Sequence, residues 1–283
     1  MGTQFWWFFD VLIISAAGVI LYSAAAKGVR RGLLRFFGLL FAVVIGFFGS
    51  HMLKEEVYSR LFYDRIQSAL VYVLDDEEWD VFEASAEVLS MKAEEGEETQ
   101  DAAALARIAK QQSEAPEPAF DEAYTDLICS VLEARVSRAQ EPHSAETLAA
   151  LCQKSPNTLK AILSALLEEN YPLAAQQIEV TLYRPGYVSL VRMGLFLGIC
   201  LVVVILCAII SSMTKHSDEK ASERDQVAAI PMGIVEAACV LLMIVVATRF
   251  LVTITDGKML VFDPETIAHT KIFRHLYDLM SLT

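Results

Sequence analysis

The sequence predicts an all-α fold, an integral membrane four-helix bundle of two hairpins with a helical extracytoplasmic insert between them. Three observations predict it. Four apolar runs, two near each end of the chain, are almost free of charge. The stretch between the two pairs is acidic and repeats apolar residues at helical spacing. No strand-type alternation of any length occurs.

The first run, FWWFFDVLIISAAGVILYSAAA (5–26), holds one charge, Asp10. A bilayer core about 30 Å thick needs roughly 20 mostly apolar residues as helix, so this run predicts a span over about 5–26. A secretory signal carries its cations before the apolar run. Here they follow it, in KGVRRGLLRFFG (27–38), and an uncharged run at 36–50 comes next. The second span is predicted over about 32–52, so that residues 1–52 form a transmembrane hairpin. MGLFLGICLVVVILCAIISSM (193–213) has no charge, and the run at 227–248 has one, Glu236. They predict spans over about 188–213 and 228–251, and a second hairpin over 187–252.

The whole chain of 283 residues is 54% hydrophobic and carries a net charge of -13. The acidic surplus lies in the insert, 53–186, with 26 Asp and Glu against 11 Lys and Arg. Apolar residues at helical spacing predict helices over 58–74, 120–136 and 155–172, within a subdomain of five or more short helices. Residues around 111–118 read as a linker. An acidic surface excludes nucleic acid as a partner, because phosphates need cations. In the tail, 253–283, Pro264 opens a helix whose stripe is Ile267, Ile272, Phe273, Leu276, Tyr277 and Met280. That stripe suits either a helix lying at the outer membrane interface or one packed on the insert.

Orientation follows from the short loops, because Lys and Arg accumulate on the cytoplasmic side. Lys27, Arg30, Arg31 and Arg35 form a topology anchor in the first loop. Lys215, Lys220 and Arg224 occupy the loop at 214–226. Four spans put both loops on one face. The N-terminus, the insert and the C-terminus are then extracytoplasmic.

Four ionisable residues fall within or at the ends of spans: Asp10, Arg192, Glu236 and Arg249. Such residues face a bundle interior or water. The topology sets Asp10 at the level of Arg192 and Arg249, two possible cationic partners. Glu236 falls nearer Lys27, Arg30 and Arg31. The four read either as a polar path or as helix-pairing and headgroup-reaching groups. Small residues mark helix contacts: Gly28 and Gly32, Gly46 and Gly49, and the row Ala229, Gly233 and Ala237. Span four is therefore expected against spans one and two, or against a second copy. Cys129 and Cys152 in the insert are either bridged or two free thiols. No zinc spacing, nucleotide loop or nucleophile–base motif stands out, and no cofactor is expected.

Asp10 near the start of a first span, the Gly–basic–Gly hinge KGVRRG and an uncharged second span resemble the CvpA (colicin V production protein) family. A second block is similar: DQVAAIPMG places Asp225 and Gly233 as in the family's D-x-x-x-G-x-x-x-G, with Ala229 at the first glycine. TKIFRHLYDLM resembles the family's closing amphipathic segment, with Asp278 where Asn is usual. The likeness covers 120–140 residues at the two ends and leaves out the long insert. It implies a four-span bacterial membrane protein linked to toxin production or envelope maintenance, with no catalytic residues to carry over. The expected function is a non-enzymatic scaffold that binds an envelope protein through 53–186. The alternative is an oligomeric transporter or channel built around Asp10 and Arg249.

Overall fold

The computed structural model describes residues 5–76, 78–92, 101–144, 146–213, 222–255 and 262–279. They form α1 (Trp6–Tyr58), a π-helical turn (Ser59–Tyr63), α2 (Asp64–Leu74), α3 (Val81–Lys92), α4 (Ala102–Glu114), α5 (Glu122–Val136) and α6 (Leu148–Lys154). These are followed by α7 (Pro156–Leu167), α8 (Tyr171–Ile178), a second π-helical turn (Glu179–Tyr183), α9 (Arg184–Met213), α10 (Glu223–Thr255), α11 (Pro264–Ala268) and α12 (Phe273–Leu279). No strand occurs among the described residues. The chain divides into a unit of residues 1–54 with 190–283 and a second unit of 55–189.

Four helical stretches are long and apolar enough to cross a membrane: Trp7–Ala26 within α1, Arg35–Leu74 from α1 through α2, Tyr171–Ile210 from α8 into α9, and Glu223–Thr255 as α10. Helical backbone runs through α1 without interruption, yet Arg35 donates to the Ser23 hydroxyl at 3.0 Å. Twelve residues of straight helix would separate them by about 18 Å, so α1 folds back between them. The neighbours of α10 agree. Gly233 sits against Ala24 and Leu21, while Val245 packs with Phe9 and Ile13, so α10 runs antiparallel to the first half of α1. Gly32 meets Met232, and Ala42 shares a cluster with Leu242, Met243 and Val246, so α10 runs parallel to the second half. The side chains of Lys27, Arg30 and Arg31, together with Gly28, lie outside the described residues.

Close approach fixes the other contacts. A Cβ on Gly46 would lie 2.8 Å from the Cys200 sulfur, and one on Gly38 2.7 Å from that of Cys207. Gly49 stands against Ile199. The second half of α1 is thus antiparallel to α9, and Cys200 donates to the Ala42 carbonyl at 3.3 Å. The two cysteines line a helix seam, as small apolar residues do. Ala229 and Ala237 are buried on α10 with Gly233. Val19, Phe48 and Leu201 point outward and are more than half exposed, which suits lipid rather than water.

The tail differs from both sequence expectations. Phe273 and Ile267 are buried against Phe9, Ile13 and Val245, within the first unit's own helices. The Phe273 ring stacks on Phe9 at 4.8 Å. The stripe is therefore an internal face; Ile272, which was counted in it, is exposed.

The second unit is a helical domain with its own core. Ile66, Leu70, Leu105, Ile128, Leu132 and Leu159 are among its fully buried side chains. Local chemistry starts several of its helices. Asp80 accepts from Phe82 and Glu83 to open α3, Asp101 accepts from Ala104 to open α4, and Asn170 accepts from Leu173 to open α8. Pro156 occupies the first turn of α7. The linker predicted around 111–118 is partly helix, since α4 runs to Glu114. Sequence periodicity does not single out α3, α4, α6 and α8, which are only 7 to 13 residues long. At its far end Tyr183 and Tyr187 donate to the Gln140 and Glu141 carbonyls.

Candidate functional site

The intramembrane charges are placed by the first unit. Arg192 and Arg249, the cations that the sequence sets at the level of Asp10, are not its hydrogen-bond partners; the helix-pairing reading is the one that fits Asp10. Its carboxylate instead accepts three backbone N–H groups at the start of α12: Lys271 at 2.9 Å, Ile272 at 3.1 Å and Phe273 at 2.9 Å. A helix leaves its first N–H groups without intrahelical partners and carries partial positive charge there. Asp10 supplies both the acceptor and the countercharge from 263 positions away. Thr270 completes the cap, its hydroxyl accepting from Arg274 at 2.8 Å and donating to Ile267 at 2.7 Å. Sequence reasoning passed over Thr270, although a Thr four positions before Arg274 at the opening of an apolar stripe is an N-terminal signal.

Glu236 is 2% exposed and lies 3.4 Å from Arg35. The sequence placed it nearer Lys27, Arg30 and Arg31. Arg35, counted there as a loop anchor, instead turns into the bundle and joins Ser23, Glu236 and the two halves of α1. Arg249 stands over the Tyr277 ring at 4.8 Å, and Arg192 over Phe47 at 5.3 Å. Both are cation–π contacts. Burial pushes the Tyr277 hydroxyl up, and Arg249 opposes the shift. The fold gathers Asp10 with the tail and Glu236 with Arg35, and aligns no continuous row of the four charges.

In the second unit, Cys129 and Cys152 are buried and both thiols are free. The bridge that the sequence allowed is not formed. Cys129 donates a hydrogen bond to the Cys152 sulfur, and that bond together with burial pushes the Cys129 thiol up. An open cleft of about 800 Å3 lies between the C-terminal ends of α2 and α5. Tyr72, Asp75, Asp76 and Glu78 line one side, Arg135 and Arg138 the other. Arg135 pairs with Asp76 and lies 5.1 Å over the Trp79 ring. The Asp76 carboxyl is held below the usual carboxylate range, first by the Arg135 hydrogen bond and then by the Glu78 N–H. Such a cleft presents charge of both signs with one exposed aromatic ring, which suits a protein or peptide surface better than bond-making chemistry. No group of three or more metal-ligating side chains occurs among the described residues. No family model matches the chain, and no curated protein or solved structure is similar to it.

Proposed function

We propose that the chain is a non-enzymatic multi-pass membrane scaffold of the CvpA type, whose acidic helical unit binds an envelope protein. What supports the reading is the employment of Asp10. Both of its oxygens hold the tail helix, so the one acid of the first span is spent on architecture. A transport path needs charge that faces a solute. The second support is the 55–189 unit, a self-contained core with a two-signed cleft that suits a partner bearing basic groups. In this reading the unit and both termini are extracytoplasmic, and the loops at 27–35 and 214–226 face the cytoplasm of a bacterial cell. Its role is in toxin production or envelope maintenance.

The test replaces residues 55–189 with a short flexible linker and leaves both hairpins intact. A cell that depends on the protein should lose toxin export or envelope integrity while the shortened chain still accumulates. Full function without the unit overturns the scaffold reading. Ion or solute flux in proteoliposomes of the full chain would favour the transporter instead. Single cysteines at Arg31, Glu95 and Thr283, in a background lacking the five native ones, test orientation. An impermeant reagent should reach the last two and not the first.

A further inference from the structure

Glu179 is the most buried acid of the second unit, at 1% exposure. It belongs to the 55–189 unit, outside the spans that the sequence predicts over about 32–52 and 188–213. One oxygen accepts from the hydroxyl of Tyr58, itself 2% exposed; the other, Oε2, is buried without a hydrogen-bond partner. Glu179 opens one π-helical turn, Glu179–Tyr183, and Tyr58 immediately precedes the other, Ser59–Tyr63. A π turn squeezes an extra residue into an α-helix at a cost in geometry, and such turns concentrate at functional positions. Here a carboxyl group that opens one meets a phenol that immediately precedes the other.

The groups that face this contact come from the ends of α1 and α9. Glu55 lies one turn before Tyr58. Arg184 follows the second π turn, and Tyr187 lies beside Tyr58. Arg184 donates to Glu55 at 2.9 Å, and both side chains are about half exposed. The guanidinium is therefore shared with a second acid at the rim, and it does not neutralise Glu179 fully. Burial wins: it pushes the Glu179 carboxyl up, against the opposing Tyr58 hydrogen bond and Arg184. Burying a charged carboxylate with one bare oxygen is far costlier than burying the neutral acid.

We propose that Glu179 is a proton-operated latch: it sits in the core as the neutral acid, and on ionising it draws water to its bare oxygen and opens the packing around both π turns, although Tyr58 still donates to it. A carboxyl raised above its unfolded value stabilises the fold fully below that unfolded value. The stabilisation is lost as pH rises through the folded value. The two π turns are then tight in acid and loosen as the medium becomes neutral to alkaline. That would let the acidic unit respond to the acidity of its compartment.

The experiment is hydrogen exchange of the full-length protein in detergent, read at residues 58–63 and 179–183 from about pH 5 to about pH 8.5 and corrected for intrinsic rate. In the wild type, protection should fall about tenfold for each unit by which the folded value exceeds the ordinary one. Glu179→Gln, which mimics the neutral acid, should hold protection high and flat. Tyr58→Phe removes a bond that favours the ionised form and should enlarge the loss. A flat wild-type profile overturns the latch, and so does a Glu179→Gln profile with the wild-type slope. Infrared spectroscopy supplies a readout if the variants fail to fold. The wild type should show the carbonyl stretch of a protonated carboxylic acid, fading over the same pH range, and absence of that band also overturns the proposal.

Discussion

The carboxylate of Asp10 accepts the backbone N–H of Phe273 at 2.9 Å, while the Phe9 ring stacks on the Phe273 ring at 4.8 Å. Adjacent residues of the first span thus hold the same position of the tail by a charge-assisted hydrogen bond and an aromatic contact. Neither the cap nor the stack is local in sequence. The tail helix, only seven residues long, is too short to be stable alone, so its order depends on this docking.

Asp10→Ala should release the tail. Three N–H groups lose their acceptor, at roughly 1 kcal/mol each, and a net cost of about 2 kcal/mol raises the open population about 30-fold. Limited proteolysis in detergent should then cut between residues 262 and 279 correspondingly faster. Asp10→Asn keeps an acceptor oxygen and should fall between the two. Unchanged tail protection in the Ala variant would show that the cap is not what holds α12.

The Arg35–Glu236 pair should behave as a coupled unit. Glu236 is buried while Arg35 is partly exposed, so removing Arg35 leaves a buried carboxylate without its cation, whereas replacing both with well-packed neutral residues costs much less. Arg35→Met should therefore lower the melting temperature in detergent more than the double variant Arg35→Met, Glu236→Leu. Additive effects in this cycle would mean that the two do not interact.

Gly186 in the second unit packs against the backbone of His143, where a Cβ would collide with the His143 carbonyl. Because the obstacle is main chain, no rotamer relieves it, and Gly186→Ala should cost about 1–3 kcal/mol as overpacking does. Gly18→Ala is the control. Nothing lies within 4 Å of the added methyl there, and alanine favours helix, so stability should hold or rise. Thermal unfolding of both variants checks the contrast.

Asp76 supplies an acid-side dependence. Its carboxyl is held low by Arg135, so its contribution is present above the ordinary aspartate value and lost as pH falls through the lower folded value. Below about pH 4, Arg135 should loosen from its place over Trp79, and the Trp79 emission should change. Asp76→Asn should abolish that acid transition while leaving the neutral-pH spectrum of Trp6 and Trp7 unaltered.

Cys129 and Cys152 should resist alkylation in the folded protein. Both are buried, which denies a reagent access to either sulfur, and Cys129 is further protected because its thiol is pushed up, while only thiolate reacts. Labelling of either should follow unfolding of the second unit. Rapid labelling at neutral pH in the folded state would place them at the surface.

The four apolar runs, the helical insert between them and the small residues at Gly32, Gly46 and Gly233 were legible in the sequence. Hydropathy and helical period are properties of consecutive residues, and bilayer thickness translates run length directly into a span. The cluster KGVRRGLLRFFG could likewise be read as the place where the chain turns back. Its last cation could not be assigned: nothing in the string says that Arg35 enters the bundle to meet Glu236 and Ser23.

What the tertiary structure alone decided is who meets whom. Asp10 looked like a charge in want of a cation because composition offers only ionisable partners, while backbone N–H groups are invisible to it. The free N–H groups of α12 exist only once that helix has formed, and they reach Asp10 only once α10 has carried the tail back beside the first span. The Tyr58–Glu179 contact has the same origin. Its members lie 121 positions apart, and their burial is created by the core packed around them, which no local pattern encodes.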